Sequence, residues 1–252
     1  MFKKSIHYNT RKIHRYLGLF IGVQFFLWTL GGLYFSWNNM NDVRGTLYRK
    51  ENANIAGNVN FSGISKVVEE LKRKEHIDSI STLSLVDYMG TPLALMQYFN
   101  KGVLKNQLID LEKSTLRKPL SESECKVLAQ YSFKDKATVK EVTLLTEETV
   151  DSHHEYRKKP LPAYAVKLNH HTNTVVYVAP EMALVTSFRN DNWRAFDFLW
   201  MLHTMDYQSR DRITNWVLRI FSVLGILSIS SGFCLFYLSS PTIRKWKKKI
   251  KY

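Results

Sequence analysis

Two stretches of this sequence carry no charge over a length that matches a lipid bilayer, and they bracket everything else. "YLGLFIGVQFFLWTLGGLYFSW", Tyr16 to Trp37, is 22 residues. As a helix it measures about 33 Å, against a hydrocarbon core of about 30 Å. "IFSVLGILSISSGFCLFYLSS", Ile220 to Ser240, is 21 residues and is stopped by Pro241 and "RKWKKKIKY". Both read as transmembrane helices. The first has a basic start, as a signal peptide does, but its apolar run exceeds an h-region and no A-x-A-like cleavage site follows, so it reads as an uncleaved anchor.

The net charge of +14 invites a nucleic-acid reading until its distribution is followed. Lys3, Lys4, Arg11, Lys12 and Arg15 precede the first run; Arg244, Lys245, Lys247, Lys248, Lys249 and Lys251 follow the second; all 22 acidic residues lie between the runs. Two basic ends around a nearly neutral middle put both termini in the cytoplasm and residues 38–215 outside it, in the periplasm if the membrane is a bacterial inner membrane. The tails then meet anionic lipid, and nucleic acid is not a partner. The two cysteines, Cys125 and Cys234, lie in different segments and form no disulfide framework.

The middle region predicts an α+β fold built twice. "SGISKVVEELKRKE" begins at an N-cap-like Ser62 and sets Ile64, Val67, Val68 and Leu71 on one helical stripe. Three strand-like runs follow, "IDSISTLSLV", "TPLALMQYF" and "KNQLIDLEKSTL". "SESECKVLAQY" opens a second helix at Ser121 or Ser123, followed by "TVKEVTLLT", "PAYAVKLNH" and "NTVVYVAPEMALVTSF". A helix and three antiparallel strands, twice, is an internal duplication. "DNWRAFDFLWMLHTMDYQSRDR" then predicts an amphipathic helix capped by Asp191 or Asn192, rich in Trp and Phe and lying in the outer interface. The expected order is a basic tail 1–15, a span 16–37, units 38–120 and 121–190, an interfacial helix 191–212, a span 213–240 and a basic tail 241–252. "DSHHEYRKKP" reads as a solvated loop, and neither His153-His154 nor His170-His171 chelates a metal as a pair, since neighbours on a strand face opposite ways. Gln24 reads as a helix-packing residue inside the first run.

Together "RKIHRYLGLFIG", "VVYVAPEMALVTSF" and "FLWMLHTMDY" resemble the PepSY-associated transmembrane family, also called iron-regulated membrane proteins. The resemblance covers nearly the whole chain and is most specific at "HRYLGL" and "LHTMDY". It implies a PepSY-like extracytoplasmic domain and a part in haem-dependent electron transfer to periplasmic acceptors such as ferric siderophores. It also implies His14 and His203 as axial ligands of haem b, with Arg11 and Arg15 near the propionates. Haem ligation needs neutral imidazole and flat space, which Gly18 and Gly22, one and two turns beyond His14, would leave. The reductase-like members carry more spans than two, so the resemblance implies a homodimer, packed through Gly18/Gly22 and the small stripe Gly225, Ser228 and Gly232, or a larger membrane complex rather than a full electron path in one chain. His14 and His203 stand a bilayer apart in this topology and belong to different haems. The competing class is a non-redox, membrane-anchored binding, regulatory or assembly module, the name PepSY also being attached to peptidase inhibitors. No P-loop, G-x-S-x-G, H-E-x-x-H or dinucleotide fingerprint occurs, so no catalytic site of its own is expected.

Overall fold

The computed structural model describes residues 2–51, 54–55, 57, 59–210 and 212–241. The chain divides into two compact units, one of Met1–Asn38 with Phe196–Tyr252 and one of Asn39–Ala195. The expected C-terminal basic tail from residue 242 onward lies outside the described residues.

The first unit is built on two long apolar helices, α1 (Phe2–Trp37) and α6 (Trp216–Ser239), both long and apolar enough to cross a membrane. α1 absorbs most of the basic N-terminal segment into the same helix as the apolar run. α6 starts at an N-cap Asn215 whose side chain accepts from the Leu218 amide, an ordinary solution for an orphan donor.

The second unit is α+β. Its short α2 (Met40–Val43) leads to α3 (Ile64–Lys74), then β1 (Ser79–Tyr88), β2 (Thr91–Asn100), β3 (Val103–Asp110) and β4 (Thr115–Arg117). α4 (Glu122–Tyr131) precedes β5 (Thr138–Leu145), β6 (Ala163–Asn169), β7 (Val175–Ala179) and β8 (Leu184–Arg189). Each sheet is an antiparallel meander of four strands in chain order. The third run of each half therefore folds into a hairpin where one strand was expected. In the first half Asp110 accepts from the Lys113 amide and Ser114 takes φ +51°, an Asx turn that reverses the chain. In the second, Pro180 has no amide to give to a ladder, and Ala183 at φ +51° completes the turn.

The α3 stripe packs as expected: Val67 and Leu71 are buried with Ala94, Met96, Tyr98 and Ile109, and Ile64 and Val68 border them. Helix α3 begins after Gly63, not Ser62; a side chain at Gly63 would stand on Ser114. The main core joins the other face of the first sheet (Val86, Leu93, Leu95, Leu108) to α4 (Cys125, Leu128, Ala129) and to the second sheet (Val166, Leu168, Val176, Val178). α4 carries a full capping box, Ser121 with Glu124, which fixes its start at the first of the two serines.

α5 (Asp191–Thr204) ends well before residue 212. Its first turn is satisfied by Asn190, whose Oδ1 accepts from the Trp193 amide at 2.8 Å, one residue before Asp191 and two before Asn192, the expected caps. The division between the units falls within this helix.

Candidate functional site

The candidate site lies in the helical unit, around the two histidines. His14 is half-buried between α1 and α6. Its Nδ1 is 2.8 Å from the Ser231 hydroxyl, and that hydroxyl donates its own hydrogen to the Ser228 carbonyl at 2.7 Å. Nδ1 is thereby the ring nitrogen engaged with α6, in a bond whose direction follows from the tautomer. The ring lies against Gly232, where a Cβ would stand 3.2 Å from Cε1. Of the four residues singled out from sequence, Arg11 and Arg15 are both exposed at this end. The Arg15 guanidinium sits 5.1 Å from the Tyr16 ring centre.

One and two turns along α1, Gly18 and Gly22 have no atom within 4 Å of a built Cβ, and neither does Gly225 on α6. These glycines line an apolar groove of about 400 Å³ with Ser228, Phe25 and Trp28. A second groove of about 680 Å³ is lined by Tyr16, Phe20, Gln24, Tyr207 and Phe221. Met205 reaches both grooves.

His203, in the last turn of α5, is packed in an aromatic box. Its ring stacks on Trp28 at 4.4 Å and 11°, meets Phe35 edge-on at 5.6 Å, and lies 6.0 Å from Trp200. Its Nδ1 is buried with no hydrogen-bond partner among the described residues. The end of α5 is fastened to α1 by side chains that serve its orphan carbonyls: Gln24 donates to Leu202 O at 2.9 Å and Trp28 Nε1 to His203 O at 2.9 Å. Asn215 donates to Thr204 O at 2.9 Å. Gln24 is thus a packing residue with a stated task, a carbonyl donor inside an apolar run.

His203 is level with Trp28, 14 residues beyond His14 on α1, which is about 21 Å of helix. That is less than the bilayer's width expected from the sequence and still far too great for one iron. The end of α5 also lies alongside the apolar run of α1 rather than beyond it. The connection from α5 to α6 is polar and closed on itself. Asp206 accepts from the Ser209 hydroxyl and from the Ser209 and Arg212 amides; these bonds hold its carboxyl well below the usual range despite the opposing cost of burial. Buried Asp197 pairs with Arg210 at 2.9 Å.

In the sheet unit the "DSHHEYRKKP" loop is solvated at both ends, 151–153 and 158–160, and anchored at its centre. Tyr156 is fully buried and stacks on Tyr177 at 4.6 Å, while Glu155 accepts from the Tyr177 hydroxyl and pairs with Arg194 at 2.8 Å. His154 Nδ1 accepts from the Tyr156 amide, whereas His170 bonds Thr172 and lies between Tyr48 and Phe133. The His170 and His171 rings lie 4.1 Å apart rather than on opposite faces, because the chain turns there instead of continuing as a strand. Among the described residues no three His, Cys, Asp or Glu side chains converge on a metal position. Cys125 and Cys234 are free thiols, the first buried in the main core.

The sequence reading found both histidines and missed what holds them. Ser231 and Trp28 carried no local signal, being ordinary residues of apolar helices, whereas Gly232 stood in a small-residue stripe and packs on His14 of its own chain. Gln24, polar in a charge-free run, was the one visible hint. No family model, curated protein or solved structure matches the chain.

The residues at His14 fit a haem. The donor set is one imidazole held at Nδ1 by Ser231, an apolar groove that starts one turn along α1 and is left open by Gly18 and Gly22, and two exposed arginines at the polar end. At His203 the fit is poorer, because neither apolar groove of this unit is lined by it.

Proposed function

We propose that the chain is a PepSY-type subunit of a bacterial inner membrane that holds haem b and passes electrons to an acceptor on the outer side, in iron acquisition or a related task. In this reading both termini are cytoplasmic, residues 38–215 are periplasmic, and the subunit acts as a homodimer or within a larger membrane complex. The repeated order of one helix and four antiparallel strands supports the duplicated PepSY-like domain. The observation that carries the haem reading is the seating of His14: with Nδ1 engaged at Ser231, Nε2 is the nitrogen left for iron, the outer-shell arrangement that metal-ligating histidines use. Gly18 and Gly22 give a macrocycle its flat space, and Arg11 and Arg15 its propionate partners. Bound haem would supply one-electron redox chemistry. The chain's own part is to present a neutral imidazole, exclude water through the apolar helices and set the ring's orientation. His203 would hold a second haem after the Trp28 stack gives way.

The test is the absorption spectrum of the detergent-purified chain, oxidised and dithionite-reduced, beside His14→Ala and His203→Ala. The expected result is a reversible b-type spectrum that His14→Ala removes. A colourless protein from haem-replete cells sinks the reading. One observation favours the other class, a non-redox anchored module: the same Ser231 and Gly232 contacts also make His14 a plain fastening between α1 and α6. A colourless protein whose helix pair is loosened by His14→Ala would establish that class.

A further inference from the structure

The first sheet ends on an edge that the fold does not protect. Strand β1 is outermost in its sheet, and among the described residues no strand pairs with its free side. From Ser79 to Leu85 every residue is exposed, including Ile80 at 46%, Leu83 at 49% and Leu85 at 43%. Register shows where the two leucines point. Leu83 lies opposite Met96 and Leu85 opposite Ala94, and Met96 and Ala94 belong to the core under α3. The two leucines therefore continue that apolar face beyond the cover of the helix.

Edge strands are normally blunted by lysine, proline, charge or a bulge, because their bare amides and carbonyls recruit other strands. The equivalent edge of the second sheet, β5, carries Lys140 and Glu141 in its middle. β1 has neither lysine, arginine nor proline, and its single charge is Asp87 near the turn. Its bulge falls between Ile80 and Thr82, which leaves a regular ladder from Thr82 to Tyr88.

We propose that β1 pairs antiparallel with β1 of a second copy of the chain, joining two four-stranded sheets into one of eight. A two-fold contact is self-complementary, and β1 meets that demand: it is uncharged from Ser79 to Val86, so no like charges face one another across the axis. Of the registers that keep both leucines on one face, the one centred on Ser84 sets Leu83 opposite Leu85 of the other copy, and Leu85 opposite its Leu83. Shifting the centre to Leu83 or Leu85 leaves one leucine opposite Ser81 or Asp87. The surface names where the dimer of the reading above forms. It rests on the dimeric part of that reading and not on haem.

The experiment is disulfide crosslinking of the full chain in its native membranes, in a Cys234→Ser background; Cys125 is retained because it is buried. At the axis, Ser84→Cys faces itself, with Cβ atoms at about the 4.5–5.5 Å of directly opposite strand residues. Thr82→Cys on the same face is displaced from its own copy by four residues, about 13 Å. The proposal expects a disulfide-linked dimer from Ser84→Cys, none from Thr82→Cys, and loss of the first when Leu85→Lys is added. Leu85 is exposed, so that change leaves the monomer's melting intact. No crosslink, equal crosslinking at both positions, or a crosslink that survives Leu85→Lys overturns it, as does capture of a different protein at Ser84→Cys. The haem spectrum reads out separately. Loss of colour with the crosslink retained overturns the redox reading alone, and the converse result overturns the interface alone.

Discussion

The anchoring of residues 151–160 yields a quantitative test. Tyr156 is fully buried, stacked on Tyr177, with its hydroxyl 2.9 Å from both Pro160 O and Thr186 Oγ1. Replacing it by alanine deletes a buried aromatic ring, which costs about 3–5 kcal/mol in a core that cannot collapse around the space. For a folding unit of this size each kcal/mol lowers Tm by about 2–4 °C, so Tyr156→Ala should lower it by roughly 6–20 °C. Tyr156→Phe keeps the ring and the stack. It loses only the hydroxyl bonds, about 1–2 kcal/mol or roughly 2–8 °C. The Thr186 hydroxyl retains the Tyr177 carbonyl as acceptor, so the carbonyl of Pro160 bears the main loss. The assay is thermal unfolding of the full chain in detergent, followed by circular dichroism of the β signal. If Tyr156→Ala melts within about 1 °C of the unmodified chain, as exposed-loop substitutions do, the loop is solvated and the packing argument fails.

Three further outcomes follow from single contacts. Gly45 takes φ +70° and a Cβ there would stand 2.8 Å from Phe188 Cβ. Gly45→Ala should therefore destabilise the sheet unit by more than about 1 kcal/mol, and a Tm unchanged from the unmodified chain would refute the close approach. Lys105, Tyr98 and Asn100 all bond Glu75 and hold its carboxyl below the ordinary 4.5. A carboxyl lowered in this way contributes stability above the unfolded-state value and loses it as pH falls through the folded one. Glu75→Gln should accordingly flatten the acid limb of stability below about pH 4.5, and an acid limb of unchanged slope counts against the cluster. Burial pushes the Cys125 thiol up to about 12, so it should resist maleimide in the folded chain and react on denaturation; labelling before unfolding would show the core to be open there.

Ser231→Ala tests the histidine geometry apart from its presence. Removing the hydroxyl frees Nδ1 and the ring's orientation without touching His14. In a haem-bearing chain the reduced spectrum or haem retention should change, while the helix pair loses only about 0.5–1.5 kcal/mol. A spectrum identical to that of the unmodified chain would mean Ser231 does not orient a ligand.

The sequence by itself determined the elements whose cause is local. Two charge-free runs longer than any soluble strand had to become long apolar helices. The 3.6-residue stripe of Ile64, Val67, Val68 and Leu71 had to face a core, and the continuous apolar run in "TPLALMQYF" had to make a strand, which the structure buries on both faces. Turn chemistry was legible but underused: Asp110 and Pro180 are the signals that split each third run into a hairpin. What only the tertiary structure decided is everything set by neighbours distant in the chain. His14 is held by Ser231, 217 positions away; Gln24 acts on a carbonyl 178 positions away; and Tyr156 in a polar loop is buried because Tyr177 offers it a face. A hydrogen bond or a stack needs both partners in place, and no local pattern records where the second one will be.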